Sequence, residues 1–175
     1  MNFDNIGYLQ NGNSRQQKAY STLMDKQIFS KLRGYSPILV GTIPIRIDIE
    51  NSDLDIICFF DDEQEFQRVL TDKFGHEKNF KIRAKQNSDT WTIVTNFDVE
   101  DFEIEIFGQN IPTKQQYAYR HLIIEHKLLI KNGEDFRQQI IKLKRQGHKT
   151  EPAFAIALDL SGDPYMELLK FEANE

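Results

Sequence analysis

The sequence has little of what defines several large classes of protein. Its 175 residues include a single cysteine, Cys58, so no disulfide can form within the chain, which is typical of a reducing compartment. No apolar run is long enough to span a bilayer. The first residues also lack the charged-then-apolar pattern of a signal peptide. We therefore predict a cytoplasmic protein that does not enter a membrane.

Two further absences concern chemistry and partners. There is no Gly-x-Ser-x-Gly motif, and Cys58 lies in an apolar run without an activating neighbour, so a serine or cysteine hydrolase is not expected. Basic residues are not in excess, because 22 Lys and Arg stand against 27 Asp and Glu, a net charge of -5. This balance argues against a large nucleic-acid surface, although it leaves room for a small basic patch.

What the chain does contain is the material for one globular domain over residues 1–175. Thirteen Phe and six Tyr supply a core, and 39% hydrophobic with 28% charged residues is an ordinary composition. We predict an α/β (α+β) fold, a small mixed sheet with packed helices and a helical C-terminal cap. The sheet-bearing core would cover about 1–110, and the helical part about 111–175.

Periodicity and turn residues predict the order of elements. Residues 1–14 are polar and are predicted to form a loose leader. A turn is predicted at Asn87-Ser88-Asp89, between the strands of a hairpin. The predicted strands cover 37–40, 54–60, 80–85, 91–95 and 102–107, and the predicted helices 15–32, 61–74, 113–130, 134–145, 150–158 and 165–171.

The most informative stretch runs from residue 39 to residue 58. Asp53 and Asp55 are two apart on a predicted strand, so both carboxylates leave the same face of the sheet. Two close like charges are tolerated when a divalent cation or water lies between them, and Mg²⁺ suits such a pair. Upstream, Gly41 allows backbone N–H groups to approach a phosphate, and the hydroxyl of Thr42 adds a hydrogen bond. A glycine turn with two surface aspartates is the alternative interpretation.

Gly41-Thr42 followed by Ser52-Asp53-Leu54-Asp55-Ile56 resembles the signature of the polymerase-beta-like (minimal) nucleotidyltransferase superfamily. Thr42 stands where that signature has Ser. The intervening loop is apolar, where small polar residues are usual, and Arg46 lies close to the usual position of a loop Arg. The resemblance implies a nucleotidyltransferase-like fold and a Mg²⁺ (or Mn²⁺) site at the two aspartates.

The same resemblance implies a third carboxylate from a later strand. Strand 102–107 places Glu103 and Glu105 on one face. Glu105 is preferred because it lies nearer the strand end, where sites tend to gather, and Glu103 is the alternative. A solvent-exposed acidic face remains the simpler explanation of both residues.

Basic residues near the predicted site are candidates to bind phosphate. Arg46 and Lys149 could offset triphosphate charge, Lys149 because it precedes a helix N-terminus. Arg120 or His121 could hold a phosphate or orient an acid, while a salt-bridged helix face that includes Glu125 explains them equally well.

Three more stretches extend the resemblance over most of the chain: 102–109, 115–125 and 147–155. Together with residues 41–58 they resemble an uncharacterised bacterial family, a domain of unknown function with a nucleotidyltransferase-like fold. This second resemblance implies the fold, but it implies no activity.

Three functional hypotheses follow. The first is a Mg²⁺-dependent nucleotidyltransferase that uses Asp53, Asp55 and Glu105 and transfers a nucleoside monophosphate from an NTP to a hydroxyl. The acidic charge balance favours a small-molecule or protein acceptor over long nucleic acid. The second is a catalytically inactive nucleotide-binding or protein-interaction module, suggested by the apolar loop 43–49. The third is a phosphohydrolase that uses the same metal site.

Overall fold

The structure, a computed structural model, describes residues 1–87 and 90–173; Ser88 and Asp89 of the predicted turn lie outside this range. Its sheet is built from β1 (Ile38–Val40), β2 (Leu54–Phe59), β3 (Lys78–Asn87), β4 (Thr90–Val99) and β5 (Phe102–Gln109). The strand order is β1-β2-β5-β4-β3. β2 and β5 run parallel, and the other neighbours are antiparallel.

Six α-helices pack on this sheet within the described residues: α1 (Ser14–Asp25), α2 (Ile28–Lys31), α3 (Glu63–Phe74), α4 (Tyr117–Arg145), α5 (Thr150–Ala157) and α6 (Pro164–Leu169). Short 3₁₀ helices cover Gly7–Asn11, Arg33–Tyr35, Thr113–Gln115 and Lys170–Ala173. The predicted fold class is confirmed. In the part of the chain that is described, no helix combines the length and apolar character needed to cross a membrane.

Caps and breaks in the helices follow from individual residues. Asn13 caps α1 by accepting a hydrogen bond from the Gln16 N–H, and the Gln16 side chain accepts one in return from the Asn13 N–H. Gln27 adopts φ 55°, which ends the regular helix and divides the predicted helix 15–32 into α1 and α2. Gly133, at φ 79° and ψ -167°, interrupts α4 at the predicted stop.

The N-terminal segment is not a loose leader, and that prediction was wrong. Phe3, Ile6 and Leu9 are buried, and the segment around Leu9 forms a 3₁₀ helix against α1. Ile6 and Leu9 pack in one core cluster and Phe3 in the other, so the segment has no single apolar face that the sequence pattern could have revealed.

The two faces of the sheet carry different cores. One face packs on α1, α2 and α3 through a cluster that includes Ile56, Phe97 and Ile104. The opposite face, through Ile57 on β2 and Ile38 and Val40 on β1, packs on α4, α5 and α6. Because side chains alternate along a strand, the acidic residues of β2 and β5 are directed to this second face.

Candidate functional site

A cavity of about 670 Å³ opens on the second face of the sheet, between the ends of β1, β2 and β5 and the helices α4 to α6. Six of the predicted site residues line it: Gly41, Thr42, Asp53, Asp55, Glu105 and Lys149. Arg46 is absent from its lining. Two exposed aromatic side chains, Tyr117 and Tyr165, also stand at its wall.

Asp55 and Glu105 face each other because β2 and β5 run parallel in matched register, with their Cα atoms as direct partners. Glu103 lies one pleat earlier on β5, is exposed and does not line the cavity. The amide of Asn96 on β4 donates one hydrogen bond to Glu105 Oε2 (3.2 Å) and another to Glu103 Oε1 (3.1 Å). Position thus distinguishes Glu105 from Glu103.

Negative charge accumulates around Asp55. Burial, followed by repulsion from Asp53 and Glu105, raises the pKa of Asp55 to about 8. Lys144 partly opposes this shift. A carboxyl group held protonated by its neighbours marks a point where bound positive charge would be strongly favoured.

Gly41 has the backbone conformation that the cavity requires. Its φ of +76° favours glycine, and a Cβ at this position would collide with the Asp55 carboxylate. Next to it, the Thr42 hydroxyl donates a hydrogen bond to Ser52 Oγ (3.2 Å), which also accepts from the Ile49 N–H (2.9 Å). These bonds close the loop so that Gly41 and Thr42 lie beside Asp53.

The apolar loop is part of the core. Ile43, Ile45 and Ile47 are each at most 2% exposed. The Gln16 amide donates to the carbonyl of Ile43 (3.0 Å) and to that of Pro44 (3.2 Å), and the Arg137 guanidinium donates to the carbonyl of Ile45. The loop is therefore fixed from both sides by α1 and α4.

Arg46 and Arg120 lie away from the cavity lining. Arg46 adopts φ 61° and is exposed on the outer side of the loop. There it adds to the lowering of the Glu134 pKa, which is caused chiefly by the hydrogen bond from Gln138. Arg120 forms an ion pair with Glu172 at 2.6 Å. Arg120 therefore has its partner on the C-terminal segment, whereas the salt-bridge alternative placed the pairing within one helix face.

His121 contacts residues other than the Glu125 that lies one turn away. Its Nε2 lies 3.0 Å from the Tyr165 carbonyl, and its Nδ1 lies 3.5 Å from Glu151 Oε1. Since the carbonyl can only accept, Nε2 carries a proton and Nδ1 faces the carboxylate. Glu125 is buried, and burial together with Glu151 raises its pKa well above the ordinary value.

Lys144 lines the cavity and is a residue that the sequence did not predict there. It is 7% exposed on α4, and burial lowers its pKa despite the nearby charges of Glu125, Asp55 and Asp53. A signal was present, because Phe136, Ile140 and Lys144 repeat at four-residue intervals on the inward face of α4. The surrounding Lys142 and Arg145 made it look like one of several solvated charges.

The donor set of the cavity fits a hard divalent cation in chemical type. Asp53, Asp55 and Glu105 offer carboxylate oxygens, which Mg²⁺ prefers. Across residues 1–87 and 90–173, however, no group of three or more His, Cys, Asp or Glu is arranged to hold a metal. Asp55 Oδ2 rests against Gly41, and Glu105 Oε2 is directed towards Asn96, so the three side chains do not converge.

Comparison with protein families identifies the chain. A family model described as "Domain of unknown function (DUF4269)" matches residues 8–171, and the chain belongs to this family. The curated proteins give no match.

Several solved structures have a similar fold. A Cid1 structure, described as a basis for RNA terminal uridylyl transferase activity, superposes with a TM-score of 0.55 at 12% identity over 76% of this chain. Cid1 poly(U) polymerase with MgGTP gives 0.54 at 12% over 73%. A GLD-2/RNP-8 complex gives 0.55 at 14% over 87%. The chain spans 41% of both Cid1 chains and 61% of the other. These similarities show a nucleotidyltransferase-like fold.

Proposed function

We propose that this member of the DUF4269 family is a divalent-cation-dependent nucleotidyltransferase. The observation that carries the proposal is that Asp53, Asp55 and Glu105 line one cavity together with Gly41 and Thr42. The fold of the Cid1 and GLD-2 structures supports it, as does the MgGTP bound to a Cid1 poly(U) polymerase. We place the activity in the cytoplasm, because the only cysteine, Cys58, is buried and free.

The reaction is the transfer of a nucleoside monophosphate to a hydroxyl group. The hydroxyl oxygen forms a bond to the α-phosphorus, the bond from that phosphorus to the β-phosphate bridge breaks, and pyrophosphate and one proton leave. Asp53, Asp55 and Glu105 would hold Mg²⁺ or Mn²⁺. When bound, the cation offsets phosphate charge and lowers the pKa of the attacking hydroxyl.

Other residues of the cavity bind and orient the nucleotide in this proposal. The backbone at Gly41, free of a side chain, admits the β- and γ-phosphates, and the Thr42 hydroxyl oxygen can accept or donate a hydrogen bond. Lys149 stands exposed at the N-terminus of α5 and offsets phosphate charge. Arg46 could reach the triphosphate only by leaving the outer side of the loop, so Lys149 is the stronger candidate.

The second candidate is a catalytically inactive nucleotide-binding or protein-interaction module. The observation in its favour is that Asp55 Oδ2 lies against Gly41 and Glu105 Oε2 faces Asn96, and that the described residues include no group of three arranged to hold a metal. Its original motive, the apolar loop 43–49, is weakened because Ile43, Ile45 and Ile47 are packed inside the chain. A stable dimer in light scattering, with an Asp53→Asn variant that is neutral or stabilised and binds nucleotide normally, would favour this module.

The matched pair Glu105→Gln and Glu103→Gln tests the enzyme directly. Both residues accept a hydrogen bond from Asn96, but only Glu105 lines the cavity. With α-labelled NTPs, Mg²⁺ and lysate fractions as the source of acceptor, wild type should transfer label and release pyrophosphate. Glu105→Gln should lower the rate by roughly two orders of magnitude, and Glu103→Gln should leave it nearly unchanged. Release of phosphate without pyrophosphate would indicate a phosphohydrolase instead.

A further inference from the structure

The carboxylate-bearing face of the sheet is only partly covered. Over β1 and β2 it packs on α4 to α6. Towards the β3 edge the cover ends, and the β4 side chains Thr92, Val94 and Asn96 are half-buried. An open strip of sheet therefore starts at the cavity and extends to the edge strand.

Strand register places a row of basic side chains along the outer border of this strip. Asp55, Glu105, Asn96 and Lys81 are partners across β2, β5, β4 and β3. Paired residues project to the same face, so Lys81 is on the carboxylate side, about 14 Å from Asp55 at three strand spacings.

The next two rows repeat this arrangement with Arg83 and Lys85. Phe107 pairs with Val94, which pairs with Arg83, and Gln109 pairs with Thr92, which pairs with Lys85. Phe107 and Gln109 also line the cavity. The opposite alternation agrees, because Ile82, between Lys81 and Arg83, packs on the core of the other face.

The basic row is available and is connected to the site. Lys81, Arg83 and Lys85 are exposed, and none of them forms an ion pair with another described residue. Arg83 Nη2 donates to Asn96 Oδ1 at 2.9 Å, and the same Asn96 donates to Glu105. Guanidinium, amide and carboxylate thus form one continuous polar line from the edge strand to the cavity.

We infer that the open strip, from Lys81, Arg83 and Lys85 across β4 to the cavity, binds the backbone of a single-stranded nucleic acid whose terminal hydroxyl is the acceptor. This inference rests on the proposed nucleotidyltransferase function. Regularly spaced cations at the border match a phosphate backbone, and the aromatic rings of Phe107 and Tyr117 at the cavity give a base a surface on which to stack.

Acidic residues give the strip a direction. Glu103, Asp98 and Lys78 are register partners in the row before Lys81, and the two acids against one base give this row a net negative charge that would repel a phosphate chain. The favourable path passes Arg83 and Lys85, towards the C-terminal end of β5 and the cavity. Local charge on one face therefore decides the partner, and the net charge of -5, which favoured a small-molecule or protein acceptor, does not.

The test compares Lys81→Gln/Lys85→Gln with Lys73→Gln/Lys131→Gln. The control pair removes two charges from α3 and α4 that are also exposed but lie outside the strip. Binding of labelled single-stranded RNA and DNA oligonucleotides is measured by fluorescence anisotropy over a range of salt. We expect the strip variant to lose roughly tenfold in affinity and its log–log salt slope to fall by about 1.4, while the control variant behaves as wild type.

Two results would overturn the inference: wild type that binds neither oligonucleotide at low salt, or strip and control variants with equal affinity. Neither result would contradict the proposed function, because that function is tested separately by metal-dependent stabilisation of the protein by mononucleotides. The strip variant should retain this stabilisation. Conversely, oligonucleotide binding lost in the strip variant without any mononucleotide response would remove the nucleotidyltransferase proposal and leave the binding surface.

Discussion

The two faces of the central sheet use the same strands in opposite ways. Towards α1 and α3, β2 and β5 present Ile56, Ile104 and Ile106, all with no measurable exposure. Towards the cavity, the alternate positions of the same strands present Asp55 and Glu105. On these two strands one face is apolar throughout, whereas the other brings together carboxylates, whose charged forms are disfavoured by burial and by each other.

This difference shows how the fold holds the carboxylates of Asp55 and Glu105 close together although they repel each other. Paired β2 and β5 fix the separation of Asp55 and Glu105, and the apolar face anchors both strands. The carboxylate face also packs on α4 to α6 over β1 and β2, but its acidic positions contain the candidate chemistry. Substitutions at the apolar positions and at the acidic positions of β2 and β5 should therefore separate stability from function.

The largest expected loss of stability comes from a substitution on the apolar face of the sheet. Phe97→Ala removes a fully buried ring that stacks on Phe74 with centroids 5.0 Å apart, and should lower the free energy of unfolding by about 3–5 kcal/mol. Val94→Ala, on the half-buried opposite side of β4, should cost less than about 1.5 kcal/mol. Urea denaturation of both variants measures the contrast, and similar losses would contradict the two-face account.

The next largest effect is the pH dependence of stability that the buried carboxyl group of Asp55 should cause. The folded pKa of Asp55, about 8, lies above its ordinary 3.8, so between these values the folded state holds the extra proton. The free energy of unfolding of metal-free protein should therefore fall as pH rises from about 4 to 8, by up to about 1.4 kcal/mol per pH unit at the steepest point.

Asp55→Asn is the matched variant for this pH dependence. It keeps the shape of the side chain and removes the titration, so its stability should vary less between pH 5 and 8 and should exceed that of wild type near pH 8. Thermal or urea unfolding in the presence of a chelator provides the data. An Asp55→Asn variant with the same pH slope as wild type would show that Asp55 does not titrate as described.

A smaller loss of stability is expected when the contact between α1 and the loop 43–49 is removed. Gln16→Ala removes the amide that holds the Ile43 and Pro44 carbonyls, and should cost about 1–3 kcal/mol. Gln17→Ala removes one exposed bond to Gly12 and should change stability by less than about 0.5 kcal/mol. Equal effects of the two variants in urea denaturation would mean that the loop does not depend on α1.

The smallest effect belongs to the open strip. Lys81→Gln/Lys85→Gln should leave the free energy of unfolding within about 0.5 kcal/mol of wild type, because both side chains are exposed and unpaired among the described residues. Urea denaturation checks this directly. A loss of more than about 1 kcal/mol would assign the two lysines a structural role instead.

Much of the fold was readable because local signals agreed with one another. The apolar run of β2, the alternation of β5, the helix caps Asn13 and Asp62, and the interruption at Gly133 are local signals, each set by a few neighbouring residues. The prediction that Asp53 and Asp55 share one face required only the two-residue period of a strand.

The rest depended on contacts between distant parts of the chain. That Asp55 faces Glu105 and not Glu103 is decided by the register of two strands about fifty residues apart, which no local pattern specifies. The burial of Lys144 follows from how α4 lies on the sheet. The net charge likewise gave no sign of the basic row Lys81, Arg83 and Lys85 on β3, because a net charge contains no information on where the charges lie. The division of the chain near residue 110 stays a prediction.

The most direct test of the central claim is a thermal-shift panel of wild type and Asp53→Asn. Each of ATP, GTP, CTP and UTP is added with and without Mg²⁺ or Mn²⁺. If Asp53, Asp55 and Glu105 form a cation-dependent nucleotide site, at least one nucleotide should raise the Tm of wild type only when the metal is present, and the variant should lose this shift. No shift with any nucleotide, together with a variant more stable than wild type, would contradict the nucleotidyltransferase account.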